Sequence, residues 1–175
     1  MRRHWDIFCT VIDNFGDIGV CWRLSRQLTH EYGQLVRVWV DNLHRLSCLE
    51  PAINDELQCQ VIQGIEVWHW QKNSEVFEQI EPAEVVIEAF ACELPGNYLR
   101  KMLQRNIQTV WINLEYLSAE PWVKSYHAMP SPHPRSGLIK TCFFSGFEPD
   151  TGGLILVIAY ELLRVDCQKE AILNE

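Results

Sequence analysis

Trp5-Asp6-Ile7-Phe8-Cys9-Thr10-Val11-Ile12, then Asp13-Asn14-Phe15-Gly16-Asp17, then Leu35-Val36-Arg37-Val38-Trp39-Val40 are the segments on which the fold turns. The first is rich in β-branched and aromatic residues and holds neither Gly nor Pro, so it reads as a strand. Asp13, Asn14 and Gly16 break that run with turn formers. From Ile18 the apolar residues Ile18, Cys21, Trp22, Leu24 and Leu28 recur at helical spacing. The helix ends near Glu31-Tyr32-Gly33, where Gly33 suits a left-handed cap. Leu35 to Val40 is a second strand, closed by Asp41-Asn42. Strand, turn, helix and strand make a βαβ unit, which requires a right-handed crossover and parallel pairing.

The same alternation continues in looser form. His44 to Leu49 reads as a short helix before Pro51, and Val61-Ile62 and Ile65 to Trp70 as edge-like strands around Gly64. Glu84 to Glu88 is a short buried strand followed by a loop from Ala89 to Pro95. Tyr98 to Gln104 is helical, and Thr109 to Leu114 and Leu138 to Phe144 are further strands. Met129 to Gly137, with three prolines, reads as loop. The fold class is therefore α/β, a Rossmann-like doubly wound parallel sheet. One such domain is expected over residues 1–154, with an apolar, helical tail over 155–175.

Composition narrows the function classes. The 23 acidic and 15 basic side chains give a formal charge of −8. That excess works against nonspecific nucleic-acid binding, which needs cations to release phosphate counterions, and suits a basic acceptor. The seven cysteines contain no C-x-x-C pair and no His at a ligand interval. No metal site is expected, and free, mostly buried thiols in a reducing cytoplasm are. The longest apolar run, Leu154 to Tyr160, is far short of the roughly 20 residues a membrane span needs. A soluble, cytoplasmic protein is expected.

Ligands of open parallel sheets sit beyond the carboxyl ends of the strands. The segments there are Asp13–Asp17, Asp41-Asn42, Phe90–Pro95 and Glu115–Glu120. In the first, Gly16 permits close backbone approach, and Asp13 and Asp17 are placed to converge on one cationic group; alternatively Asp17 caps the helix and Asp13 fills the turn. A dinucleotide fingerprint is absent, since Asn14 stands where its first glycine belongs, although Asp41 mimics the ribose-binding acid. Cys92 has no His base beside it in sequence. Glu93 either lines the cleft or caps the helix after Pro95, and Ser118 reads as a helix cap. Glu115 and Tyr116 can hold a guanidinium by a charged hydrogen bond and a ring face. Trp68, Trp70 and Trp111 lie at strand spacing and read as core; His127 and His133 read as structural.

Taken together, several stretches resemble one family. They are Val11-Ile12-Asp13-Asn14-Phe15-Gly16-Asp17-Ile18-Gly19-Val20 with Trp22-Arg23-Leu24, and Val38-Trp39-Val40-Asp41. Val86-Ile87-Glu88-Ala89-Phe90-Ala91-Cys92-Glu93-Leu94-Pro95 and Asn113-Leu114-Glu115-Tyr116-Leu117-Ser118-Ala119-Glu120 follow. Phe143-Phe144-Ser145-Gly146-Phe147 and Gly152-Gly153-Leu154 complete the series in order. The chain is similar in these to the bacterial elongation factor P arginine rhamnosyltransferases. The resemblance implies a GT-B glycosyltransferase of two facing Rossmann-like halves, of which this would be the N-terminal, acceptor-side half. It implies inverting transfer of rhamnose from dTDP-β-L-rhamnose to an arginine of elongation factor P, without metal or other cofactor. By the same similarity Asp13 and Asp17 are the catalytic acids, and Asn14, Phe15 and Gly16 approach the donor.

The resemblance also implies an Arg-Glu pair after Gly153-Leu154, where this sequence has Ile155-Leu156, and a C-terminal donor-binding domain that the 175 residues do not include. The expectation is a half that recognises its acceptor but is inactive alone. The alternatives are a non-catalytic module that binds elongation factor P, and an unrelated Rossmann-like nucleotide-binding enzyme.

Overall fold

The computed structural model describes residues 2–13 and 15–154; Asn14 and the tail over 155–175 lie outside the described residues. In chain order the elements are β1 (His4–Cys9), α1 (Gly16–His30), β2 (Leu35–Val40), α2 (Leu43–Leu49), β3 (Cys59–Ile62) and β4 (Ile65–His69). They continue with α3 (Val76–Gln79), β5 (Val85–Ala89), α4 (Gly96–Gln104), β6 (Val110–Glu115), α5 (Val123–Tyr126), β7 (Pro130–Pro132) and β8 (Ile139–Phe144). The eight strands of the described residues form one sheet in the order β3-β4-β2-β1-β5-β6-β8-β7. All neighbours pair in parallel except the two edge strands, β3 and β7, which are antiparallel to theirs. The α/β parallel sheet expected from the sequence is what forms.

Strand alternation sorts β1 and β2 onto two faces. Ile7 and Cys9 join Val36, Val38 and Val40 under Ile18, Cys21 and Trp22 of α1. Phe8 and Trp39 face the other way, into an aromatic cluster with Trp70, Phe77 and Tyr98. The Phe8 ring stacks on Trp39 at 5.6 Å and meets Tyr98 edge-on at 4.8 Å. Trp70 and Trp111 are core, and Trp68 packs against the same cluster. Burial on both faces explains why β5 carries no alternation.

Asp6 is fully buried on the aromatic face. Arg37 grips it through Nε at 2.6 Å and Nη2 at 2.8 Å, and Trp39 Nε1 donates at 3.0 Å. The Ala83 amide donates at 3.0 Å, and the Tyr98 hydroxyl donates from α4. One carboxylate thus joins β1, β2, the approach to β5, and α4.

Some local expectations give way. The first helix begins at Gly16, and its N-cap, Phe15, makes no side-chain cap. Pro95 likewise precedes α4 without a side-chain cap, so Glu93 is not one. Ser118 accepts from the Glu120 amide in a turn, while the next helix starts only at Val123. The 129–137 segment contains β7, a three-residue edge strand, rather than loop throughout. The one-turn helices α3 and α5 carry no periodicity long enough to read. The β3–β4 hairpin turns on Gln63 and Gly64, both at positive φ (52° and 78°), as a two-residue turn between twisted strands demands.

The chain builds β2 and β4 on one side of β1 and β5, β6 and β8 on the other. The loops leaving β1 and β5 therefore diverge, which opens a crevice at their carboxyl ends. Removing Asp6 tests what holds this frame. Asp6→Ala should lower the unfolding free energy by about 3–5 kcal/mol in urea denaturation, because it strands the part-buried Arg37 guanidinium and the buried Trp39 and Tyr98 donors. Truncating the exposed Lys72–Glu93 pair should leave the unfolding midpoint almost unchanged. Equal, small losses would show that the buried carboxylate does not organise the fold.

Candidate active site

The switch-point crevice is shaped by the loop between β1 and α1. Asp17 is fully buried in the first turn of α1. Its Oδ2 accepts the amides of Ile12 and Asp13, each at 2.9 Å, and Asp41 Oδ1 accepts the amide of Val11 at 2.9 Å. Three consecutive N–H groups are thus held by two carboxylates. Asp17 therefore reaches back to the loop and does not cap its own helix. Asp41, whose position suggested a ribose ligand, is a loop anchor; burial raises its carboxyl above the ordinary value.

Asp13 is exposed at the mouth of the site, with Asp17 behind it. Gly16 donates its amide to the Asp13 carbonyl at 3.0 Å. A Cβ on Gly16 would lie 2.6 Å from Asp13 Oδ2, so only glycine leaves that carboxylate where it is. Phe15 is part of the rim, its ring 5.8 Å from the Arg45 guanidinium carbon.

Tyr116, just past β6, donates its hydroxyl to Asp17 Oδ1 at 2.8 Å. Its ring stacks on Phe90, with centroids 4.2 Å apart and planes 17° off parallel. Partial burial, the hydrogen bond to Asp17 and the charges of Asp17 and Asp13 push the Tyr116 phenol up to about 12. Phe90 leaves β5 in the left-handed region at φ 55°, and Ala91 and Glu93 follow at 52° and 58°. Non-glycine residues rarely adopt that conformation, and three in four positions mark a constrained loop at the crevice.

Of the residues singled out in the sequence, the structure brings Asp13, Phe15, Gly16, Asp17 and Tyr116 to the crevice. Glu93 and Glu115 are placed elsewhere. Glu93 is exposed and paired with Lys72 at 2.9 Å. Glu115 lies on the opposite face from Leu114 and accepts from Asn113. Strand alternation separates it from Tyr116, one residue on. Phe90 was not singled out by the sequence; an aromatic residue directly after a fully buried strand was the available signal. Cys92 is buried, its Sγ 3.5 Å from the Phe8 carbonyl, and burial pushes its thiol up, the wrong direction for a nucleophile. His127 accepts the Phe144 amide, and His133 accepts from Ser136, both structural roles.

Among the described residues no group of three or more His, Cys, Asp or Glu side chains is arranged to hold a metal ion. No helix among them is long and apolar enough to cross a membrane. Three of their cysteines (Cys9, Cys21 and Cys92) are buried, whereas Cys48 and Cys59 are exposed, so the thiols are less uniformly buried than expected. A cavity of about 650 Å³ lies on the α4 face between Leu94, Leu99, Trp111 and Lys140. Its walls take Ala91 and Glu93 from the loop after β5 but none of Asp13, Phe15, Gly16, Asp17, Phe90 and Tyr116. Of its cations, Lys72, Arg100 and Lys140 are engaged by Glu93, Glu78 and Glu88, and Arg135 lines it as well.

The family model for the elongation factor P (EF-P) rhamnosyltransferase EarP matches residues 5–173. The chain belongs to this family. A protein-arginine rhamnosyltransferase of Pseudomonas putida is 48% identical over 155 residues, covering 89% of this chain and 40% of the relative. One from Shewanella oneidensis is 47% identical over 158 residues (87% and 39%), and one from Neisseria meningitidis 44% over 163 residues (93% and 41%). The chain spans about 40% of the length of these EarP relatives. The family match spans the residues that build the Asp13–Asp17 crevice.

The Tyr116–Asp17 bond makes a titration prediction. The folded phenol is raised, so its contribution to stability is present below pH 10 and is lost as the pH rises through about 12. Ultraviolet difference titration should show one phenol, absent in Tyr116→Phe, ionising near pH 12. In Asp17→Asn that phenol should ionise closer to 10. An unchanged titration in Asp17→Asn would remove the coupling.

Proposed function

We propose that this chain forms the acceptor side of a GT-B protein-arginine rhamnosyltransferase. The reaction transfers rhamnose, with inversion, from dTDP-β-L-rhamnose to an arginine of translation elongation factor P. The observation that carries this reading is the juxtaposition of an exposed carboxylate, Asp13, with a buried one, Asp17, at the topological switch point. Membership of the EarP family supports the chemistry.

An arginine guanidinium stays protonated near neutral pH and its lone pairs are delocalised, so it attacks poorly. Asp13, at the mouth, orients the guanidinium and localises its charge. Asp17 accepts the proton as the nitrogen bonds to the anomeric carbon and the bond to the dTDP oxygen breaks. The Asp17 position is fixed by the Ile12 and Asp13 amides, so the base need not be ordered during the reaction. Phe15, Gly16 and Tyr116 complete the approach, Gly16 by leaving room for Asp13. Asn14, the remaining member of the loop, lies outside the described residues. No metal or other cofactor enters this scheme, and the donor is a substrate. A translation-factor acceptor places the reaction in the cytoplasm, and the formal charge of −8 favours encounter with a basic acceptor loop.

Two measurements test it. Titrated with unmodified elongation factor P, the chain should bind, and an acceptor with the modified Arg→Lys should bind at least about tenfold more weakly, having lost a bidentate charged contact. Equal binding of both acceptors would remove arginine recognition from this site. Turnover is measured in a full-length relative: replacement of the residue matching Asp17 by Asn should lower kcat by about 10²–10⁴-fold, the range of a lost general base. A fall below threefold would exclude Asp17 as the base.

A further inference from the structure

Among the described residues three donors surround the Asp17 carboxylate, and they are not alike. Two are the backbone amides of Ile12 and Asp13, held in place by the loop that follows β1. The third is the Tyr116 hydroxyl on Oδ1, carried by a side chain with rotatable bonds. Tyr116 is half-exposed while Asp17 has no exposure at all. The tyrosine therefore lies between Asp17 and solvent on the Oδ1 side. It can leave without breaking any backbone hydrogen bond; the other two donors cannot.

The resting place of that tyrosine is also built. Its ring lies against Phe90, whose amide is tied to the Leu114 carbonyl at 2.7 Å despite a left-handed backbone. Phe90 is almost wholly buried and packs into the α1-side core, so it is a fixed wall. Tyr116 is the movable member of the stack.

We propose that Tyr116 is a gate on Asp17, a positioning residue that holds the carboxylate in the empty site and yields Oδ1 to an incoming guanidinium N–H. This deepens, and rests on, the reading of Asp13 and Asp17 as the acceptor site. A guanidinium suits the exchange better than an ammonium. Its planar, forked N–H groups can bridge Asp17 Oδ1 and the exposed Asp13 carboxylate, and its face can lie on the released phenol ring. Lysine offers one compact charge and loses the second contact. The gate thereby links arginine selectivity to exposure of the base.

Carbodiimide labelling of carboxylates on the 175-residue chain, resolved by tandem mass spectrometry, tests the cover with neither donor nor acceptor present. Asp13 should react readily in every variant, and Asp17 hardly at all in the wild type. Tyr116→Phe keeps the stack but deletes the bond, and should raise Asp17 labelling about tenfold, the value of one hydrogen bond to a charged group. Tyr116→Ala should raise it further. Asp17 as unreactive in both variants as in the wild type, at unchanged thermal midpoint, would overturn the gate. If Tyr116→Ala unfolds, Tyr116→Phe alone carries the comparison.

Arginine recognition is read separately, from the Tyr116 ring resonances during titration with N-acetyl-arginine amide and N-acetyl-lysine amide. Movement with the first and not the second supports the exchange. Equal movement overturns the selectivity. No response to either, beside positive labelling, overturns the guanidinium exchange and the acceptor reading while the cover over Asp17 stands.

Discussion

A charge inside an aromatic core is the constraint around which this chain is arranged. Asp6 has no access to water, and an ion in that position is tolerated only when its oxygens are well supplied with donors. Arg37, Trp39, Ala83 and Tyr98 supply them from three separate parts of the chain. An apolar residue at position 6 would pack; it would not select these partners. The carboxylate makes the pairing of β1 with β2, and the docking of α4, specific as well as favourable.

Placing Asp6 on one face of β1 fixes what the other residues of that strand do. Phe8 follows it into the aromatic cluster, and Ile7 and Cys9 turn toward α1. With the strand so oriented, the loop beyond Cys9 emerges at the switch point, where Asp17 and Asp41 collect its amides. A structural carboxylate at the start of β1 and a chemical pair just beyond its end are consequences of one strand register.

The βαβ opening and the turn that carries Asp13, Gly16 and Asp17 were legible because each has a local cause: β-branched runs, helical spacing, and turn formers between them. What escaped the sequence was decided over distance. Glu115 and Tyr116 look equivalent as neighbours at a strand end, yet the pleat sends Glu115 toward Asn113 and leaves Tyr116 for Asp17. Glu93 looked like cleft or cap until Lys72, 21 residues earlier, was found to claim it. The short helices α3 and α5 and the strand β7 owe their existence to packing and edge pairing, which leave no periodic trace in three or four residues.

The Asp6 network also has an order in time. A chain made from its N-terminus presents Asp6 first, Arg37 and Trp39 later, and Ala83 and Tyr98 last. Until Tyr98 has been synthesised, the carboxylate cannot be enclosed with its full set of donors, and closing the aromatic core around it would bury an under-supported ion. The last partner in the sequence thus completes the donor set of the first residue that needs it.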